Sequence, residues 1–196
     1  MHSPSARETF ISAITHRTAT TRFIEANGIS YAYRRFGSGG TVPLVLLQHF
    51  RGNLDNWDPA LTDGLAASRE VVLVDYPGVG SSVFPETDGA RAAGLASLRR
   101  IDRRLTESKA QVQPETYRAQ LTAIGGFAGF WDRQQDLTLP VLVANGAHDV
   151  VIHAYAAYAM SQRLPNAKIV LYSDAGHGFL FQHIEDFAAE VGRFLA

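Results

Sequence analysis

Apolar and polar positions along this chain alternate in short runs, and two periods take turns. The segment "TRFIEANGISYAYRRFG" holds two β-rich runs joined by Asn27-Gly28. That dipeptide supplies the two φ > 0 positions of a tight hairpin turn, so an N-terminal β-hairpin is expected. "VPLVLLQHF", residues 42 to 50, is a continuous apolar run, the pattern of a strand buried on both faces. Asp58 followed by Pro59 is a helix start, with Leu61 and Leu65 on the inner face. "EVVLVDY", residues 70 to 76, is the next buried strand. Strand, helix and strand at this spacing predict a right-handed parallel crossover.

After Gly89 the period changes to helical. Leu95, Leu98, Ile101 and Leu105 recur at three and four. Pro114 opens a second helix with Tyr117, Leu121, Ile124, Ala128 and Trp131 on one face. "LPVLVANG" (139 to 146) and "KIVLYS" (168 to 173) are strands flanking a helix around Ala154 to Arg163. A final helix carries Ile184, Phe187, Ala188, Val191, Phe194 and Leu195. The expected fold class is α/β: a reduced, mostly parallel sheet flanked by helices, with an N-terminal hairpin. The chain divides as a single domain over 1–196, with a tail over 1–20 and a helical, lid-like insertion over 90–135.

Composition narrows what such a domain does. With 196 residues there is room for one well-buried domain. The net charge of -1 argues against nucleic acid and anionic membrane surfaces as partners. No cysteine is present, which excludes disulfides and thiolate chemistry and suits a cytoplasmic location. No run is apolar and long enough to span a membrane. The start, "MHSPSARETFISAITHRTATTR", lacks the apolar core of a secretory signal, and its composition favours a tail over a transit peptide. No cofactor is expected. Gly78-Val79-Gly80 follows a strand, but Val83 stands where a dinucleotide loop needs its third glycine. No phosphate loop and no His-Glu-x-x-His metal pattern occur, so no metal is expected either.

In open α/β sheets, chemistry gathers at the carboxyl ends of strands. Three ends are informative. "QHFRGN" (48 to 53) could aim loop amides at a developing oxyanion, or be a sharp turn. "ANGAHDVVI" (144 to 152) puts Asp149 just past a strand, where a carboxylate can orient an imidazole or cap a helix. "SDAGHGFLFQH" (173 to 183) sets His177 between two glycines, which lets the backbone present an exposed imidazole.

Taken in order, these three ends are His-x-x-Gly, Gly-x-x-Asp and Gly-His-Gly before a terminal helix. That order resembles the α/β-hydrolase superfamily, in the branch of small serine hydrolases with esterase, haloperoxidase-like and peptidase-like members. The resemblance runs from about Arg22 to Ala196. It implies that Asp149 is the triad acid and His177 the general base. It also implies that the amide of Phe50, after His49, is one oxyanion donor; the family usually has glycine at that place. "DYPGVGSS" matches the loop after the family's fourth strand, where Asp75 is more often structural. The helices from Ala90 to Trp131 would form part of a lid, with Phe127, Phe130 and Trp131 against an apolar small-molecule substrate.

One part of the pattern is missing. The superfamily carries its nucleophile on Gly-x-Ser-x-Gly at a strand-to-helix turn. Ser30 has Gly28 before it but lies in a hairpin strand; Ser82 has Gly80 before it but Phe84 after it. No serine has both glycines, and no strand is legible between Ser82 and Ala90. One strand-helix-strand unit alone needs roughly 30 residues. The chain therefore reads as a hydrolase whose central section is excised. Three expectations follow: an acid and base without a competent nucleophile; use of Ser81 or Ser82 instead; or a binding or self-associating protein without catalysis. The apolar third strand loses its usual neighbour. It is expected either to pair with "PVLVAN", bringing His49, Asp149 and His177 together, or to leave an edge covered by self-association.

Overall fold

The two N-terminal strands, β1 (Arg22–Ala26) and β2 (Ile29–Phe36), pair antiparallel in a register that sets Ala26 against Ile29. This is the hairpin expected from the sequence; its turn, Asn27-Gly28, lies outside the described residues. The computed structural model describes residues 14–26, 29–75, 88–108 and 113–196. The stretch 76–87, with Gly78, Gly80, Ser81 and Ser82, also falls outside them.

Beyond the hairpin, β2 pairs antiparallel with β4 (Val71–Val74), and β4 pairs parallel with β3 (Leu44–Leu46). The order in this sheet is β1-β2-β4-β3. The crossover from β3 to β4 runs through helix α1 (Pro59–Ala66). Asp58 caps α1 by accepting from the Ala60 amide at 2.9 Å, and Pro59 sits in the first turn, where its missing N–H costs nothing. Leu61 and Leu65 turn inward with Phe36, Val71 and Leu73 to form the main core. Helix α6 (Ile184–Phe194) closes that core with Ile184, Phe187, Ala188 and Val191.

A second, two-stranded sheet holds β5 (Val141–Gly146) and β6 (Ala167–Tyr172) in parallel, crossed by helix α4 (Ala154–Arg163). Its core is Val143, Ala157 and Leu164. Phe179, at the start of the short helix α5 (Phe179–Gln182), stacks on Tyr172. Leu180 and Phe187 pack against both the main core and the Tyr172 cluster, so α5 and α6 join the two half-sheets.

Three expectations change here. First, β3 does not pair with β5. Among the described residues β3 bonds to β4 and β5 to β6, in separate sheets. Second, β3 is not buried on both faces. Leu44 and Leu46 pack on the core, but Val45 is 48% exposed and Leu47, just after the strand, 63%. A continuous apolar run signals double burial only when a neighbour covers the second face. Third, the inner face of α2 (Asp88–Ser108) is rotated from the apolar stripe. Ile101 is buried as expected, but so are Ser97 and Arg104, while Leu95 is exposed. The polar pair is buried because it meets acids already inside: the Ser97 hydroxyl donates to Asp58 at 2.6 Å, and Arg104 donates to Asp55 at 2.7 Å.

Helix α3 (Pro114–Gly125) and the 3-10 turn Trp131–Asp136 complete the lid-like region. Neither has a buried residue. Tyr117, Leu121 and Ile124 are exposed rather than packed on a core. A 12-residue helix is marginal without such packing. Its ties to the body include a hydrogen bond from the Arg51 amide to Gln120 at 3.2 Å and the Phe50–Tyr117 ring contact.

Candidate functional site

Two loops, one after β5 and one after β6, bring Asp149 and His177 together. Gly146 makes their approach possible. A Cβ on Gly146 would lie 2.3 Å from the Gly176 carbonyl oxygen and 2.4 Å from that of Ala175. Backbone bonds then tie the loops: the Ala147 amide donates to Tyr172 O at 2.8 Å and the His148 amide to Ala175 O at 2.9 Å. Two side chains complete the frame. Asn145 donates to Ile152 O at 2.8 Å, and buried Gln182 accepts from the Gly176 amide at 3.0 Å. Asn145 sits at a strand end and Gln182 in a helical run, and neither carries a sequence signal for this role.

Asp149 is 4% exposed. Its Oδ1 accepts from the loop amides of Val151 and Ile152, both at 2.8 Å. Its other oxygen, Oδ2, lies 2.9 Å from His177 Nδ1. The helix-cap alternative does not occur, because the N-cap of α4 is His153; Asp149 instead braces its own loop while it meets the imidazole. Burial opposes ionisation of this carboxyl, but the amides of Ile152 and Val151 and the imidazole of His177 outweigh it and hold the carboxyl below the usual range. An ionised carboxylate only accepts, so Nδ1 of His177 carries the proton. In the neutral ring this leaves the Nε2 lone pair free. The His177 side chain is 42% exposed, so it is open to a reactant.

The other candidate residues are arranged less tightly. Phe50 is exposed; its ring lies 5.8 Å from that of Tyr117, and its carbonyl is 2.8 Å from His49 Nδ1. The next residue, Arg51, adopts φ 63°, rare for a side-chain-bearing residue, and its guanidinium lies over the Tyr117 ring. A Cβ at Gly52 would lie 2.9 Å from the ring of His49, an exposed side chain that can swing aside. Phe127 and Phe130 pack edge to face at 5.1 Å, and both are exposed. Trp131 lies under the Arg163 guanidinium at 4.6 Å. Among the described residues, no hydrogen bond or ring contact joins His49, Phe127, Phe130 or Trp131 to the Asp149–His177 pair. Asp75 accepts from the Leu54 amide at 2.5 Å, a brace for the loop after β3. A cleft of about 420 Å³ opens elsewhere, lined by Ala96, Arg100, Gln182 and His183. Among the described residues no cluster of three or more His, Asp or Glu could hold a metal, and no helix is long and apolar enough to cross a membrane.

No family model and no curated protein matches the sequence. Solved structures do. An α/β-hydrolase-fold protein from Chitinophaga pinensis is 25% identical, with a TM-score of 0.80 over 92% of this chain and 98% of that one. An esterase from Rhodococcus sp. ECU1013 is 17% identical, with a TM-score of 0.67 over 89% and 98% of the two chains. The enol-lactonase from Burkholderia xenovorans LB400 is also 17% identical, with a TM-score of 0.67 over 89% and 99%. The last two likenesses bear on the fold alone, and all three agree on it. The chain therefore has the α/β-hydrolase fold.

Proposed function

We propose that Asp149 and His177 are the acid and general base of a hydrolase-type site for ester- or amide-type small molecules, and that this chain has no competent nucleophile to complete it. The observation that carries the reading is the 2.9 Å Nδ1–Oδ2 bond between a half-exposed imidazole and a buried carboxylate that also accepts two loop amides. That is the arrangement that holds a histidine in the tautomer a serine hydrolase uses. The Phe50 amide would supply one oxyanion donor, and Phe127, Phe130 and Trp131 would meet an apolar substrate. Support for the missing nucleophile comes from the sequence, where no serine has glycine two before and two after it. The second oxyanion donor, the amide following the nucleophile, goes with it. Loss of triad members typically leaves only about 10³–10⁴-fold catalysis over water, and that remainder depends on an intact oxyanion hole.

A fluorophosphonate serine probe tests this. The expected result is no adduct on the folded chain, with p-nitrophenyl acetate hydrolysed at close to the buffer rate and no further loss in His177→Ala. A stoichiometric adduct on Ser81 or Ser82 that disappears in His177→Ala would overturn the reading in favour of an active enzyme.

A second reading concerns association. Val45 and Leu47 are exposed on the uncovered side of β3, which among the described residues is an edge strand, and an apolar edge strand invites pairing with another chain. Self-association of copies through this edge is proposed. Light scattering is expected to give a mass above the 21.4 kDa of one chain, falling to that value in Val45→Lys. A clean monomer across the micromolar range would count against it.

A further inference from the structure

The hydrolase-type reading leaves unused a histidine buried far along the chain from the site. His16 is completely buried, in a short strap that precedes β1. Its backbone amide donates to Asp63 Oδ1 at 2.7 Å, and its ring Nδ1 is 2.8 Å from the Thr62 hydroxyl, both on α1. The ring packs against Phe36 of β2 at 5.9 Å. Its Nε2 is buried without a hydrogen-bond partner. Ala19 inserts into the main core three residues on, and Arg17 pairs with Glu107 of α2 at 3.0 Å. The strap thus touches β2, α1 and α2 at once.

The charged groups facing His16 are unbalanced in position. Arg34 of β2 and Arg104 of α2 act against a positive ring, while Asp55 from the loop and Asp58 at the cap of α1 favour it. Asp55 is already engaged by both arginines, and Asp58 by Ser97 and Arg100. Asp63 meets the His16 amide rather than its ring. Asp55 and Asp58 are therefore both committed to other cations and donors. A second proton on His16 would have to sit at the unpartnered Nε2, in a site without water access and beside two arginines.

We propose that His16 is an acid-sensitive latch: neutral, it holds the strap over α1 and α2, and protonation releases the strap while the rest of the fold stays closed. The direction of the ring's titration agrees. Burial first, then Arg34 and Arg104, lower its pKa from 6.5 to about 4. A folded value below the unfolded one means that the stabilisation is complete above pH 6.5 and lost as pH falls toward 4.

Hydrogen exchange of the His16, Thr18 and Ala19 amides, read by NMR from pH 7 to 4.5 with intrinsic rates divided out, tests the latch. Their opening equilibrium is expected to rise about tenfold per pH unit below about 6.5, toward a limit of about 300-fold below pH 4. In His16→Gln it should be flat over that range, while α1 amides such as Leu65 stay protected in both proteins. Should that variant not fold, the imidazole resonances of the wild-type protein decide: His16 titrating near pH 4, where the rise in strap opening levels off, supports the latch. A flat wild-type profile would overturn it. So would α1 and β4 amides opening in step with the strap, which would mean general acid unfolding.

Discussion

Asp55→Ala is expected to destabilise the protein by about 3–5 kcal/mol, the cost of leaving buried charge without its counter-ion. Asp55 Oδ1 accepts from Arg34 at 2.6 Å and from Arg104 at 2.7 Å, and all three side chains are nearly inaccessible to solvent. Burial alone would raise the Asp55 carboxyl, but the two guanidiniums more than offset it and hold it below its ordinary value of 3.8. Because the folded value is depressed, this stabilisation is present above pH 3.8 and is lost only as the medium becomes more acidic than that. The window is separate from that of His16, which acts between pH 6.5 and 4. Urea unfolding at pH 7 measures the effect. A triple replacement, Arg34→Met with Asp55→Leu and Arg104→Met, should recover most of the loss, because it removes the charges together. A loss below about 1 kcal/mol in Asp55→Ala would mean that water reaches the arginines and that the triad is not dry.

Gly146→Val is expected to part the two loops that hold Asp149 and His177. The new Cβ would stand 2.3 and 2.4 Å from two backbone oxygens, which cannot swing aside as a flexible side chain could. Overpacking of this kind costs about 1–3 kcal/mol, and the rigid neighbours put this case at the upper end. The specific readout is His177: its Nδ1 proton, deshielded by the Asp149 carboxylate in the parent, should lose that NMR signature. Gly192→Ala in α6 is the matched comparison. Nothing lies within 4 Å of its Cβ, and alanine should leave the His177 signal unchanged while stabilising the helix by about 0.5–1 kcal/mol. An intact His177 signal in Gly146→Val would show that the loops are held by their hydrogen bonds alone.

These two effects differ in how visible they are along the chain. Gly146 lies three before Asp149, inside the Gly-x-x-Asp motif, and the close approach that demands it can be suspected from that spacing. The Asp55 triad has no such mark. Arg34 sits in a strand, Asp55 in a loop and Arg104 on a helix whose apolar stripe points elsewhere. Only tertiary packing brings them together, and it buries Ser97 and Arg104 of α2 beside Ile101 while Leu95 stays exposed. Asn145 and Gln182 escape sequence reasoning for another reason: each bonds a backbone atom within its own loop, to Ile152 and from Gly176, and no side-chain motif marks such a bond.

By itself, the sequence determined the local elements and their order. Alternation marks the hairpin, Asp58-Pro59 starts α1, and the 3.6-residue period of Ile184 to Phe194 makes α6, because these signals depend on neighbours a few positions away. It also placed Asp149 and His177 at strand ends, where loops are free to meet. Tertiary structure alone decided which elements became neighbours. It kept β3 and β5 in separate sheets, left Val45 and the α3 face exposed, and buried Ser97 and Arg104 in place of leucine. Strand partners and helix rotation are set by the summed pairing of residues far apart in sequence, and no local period records that sum.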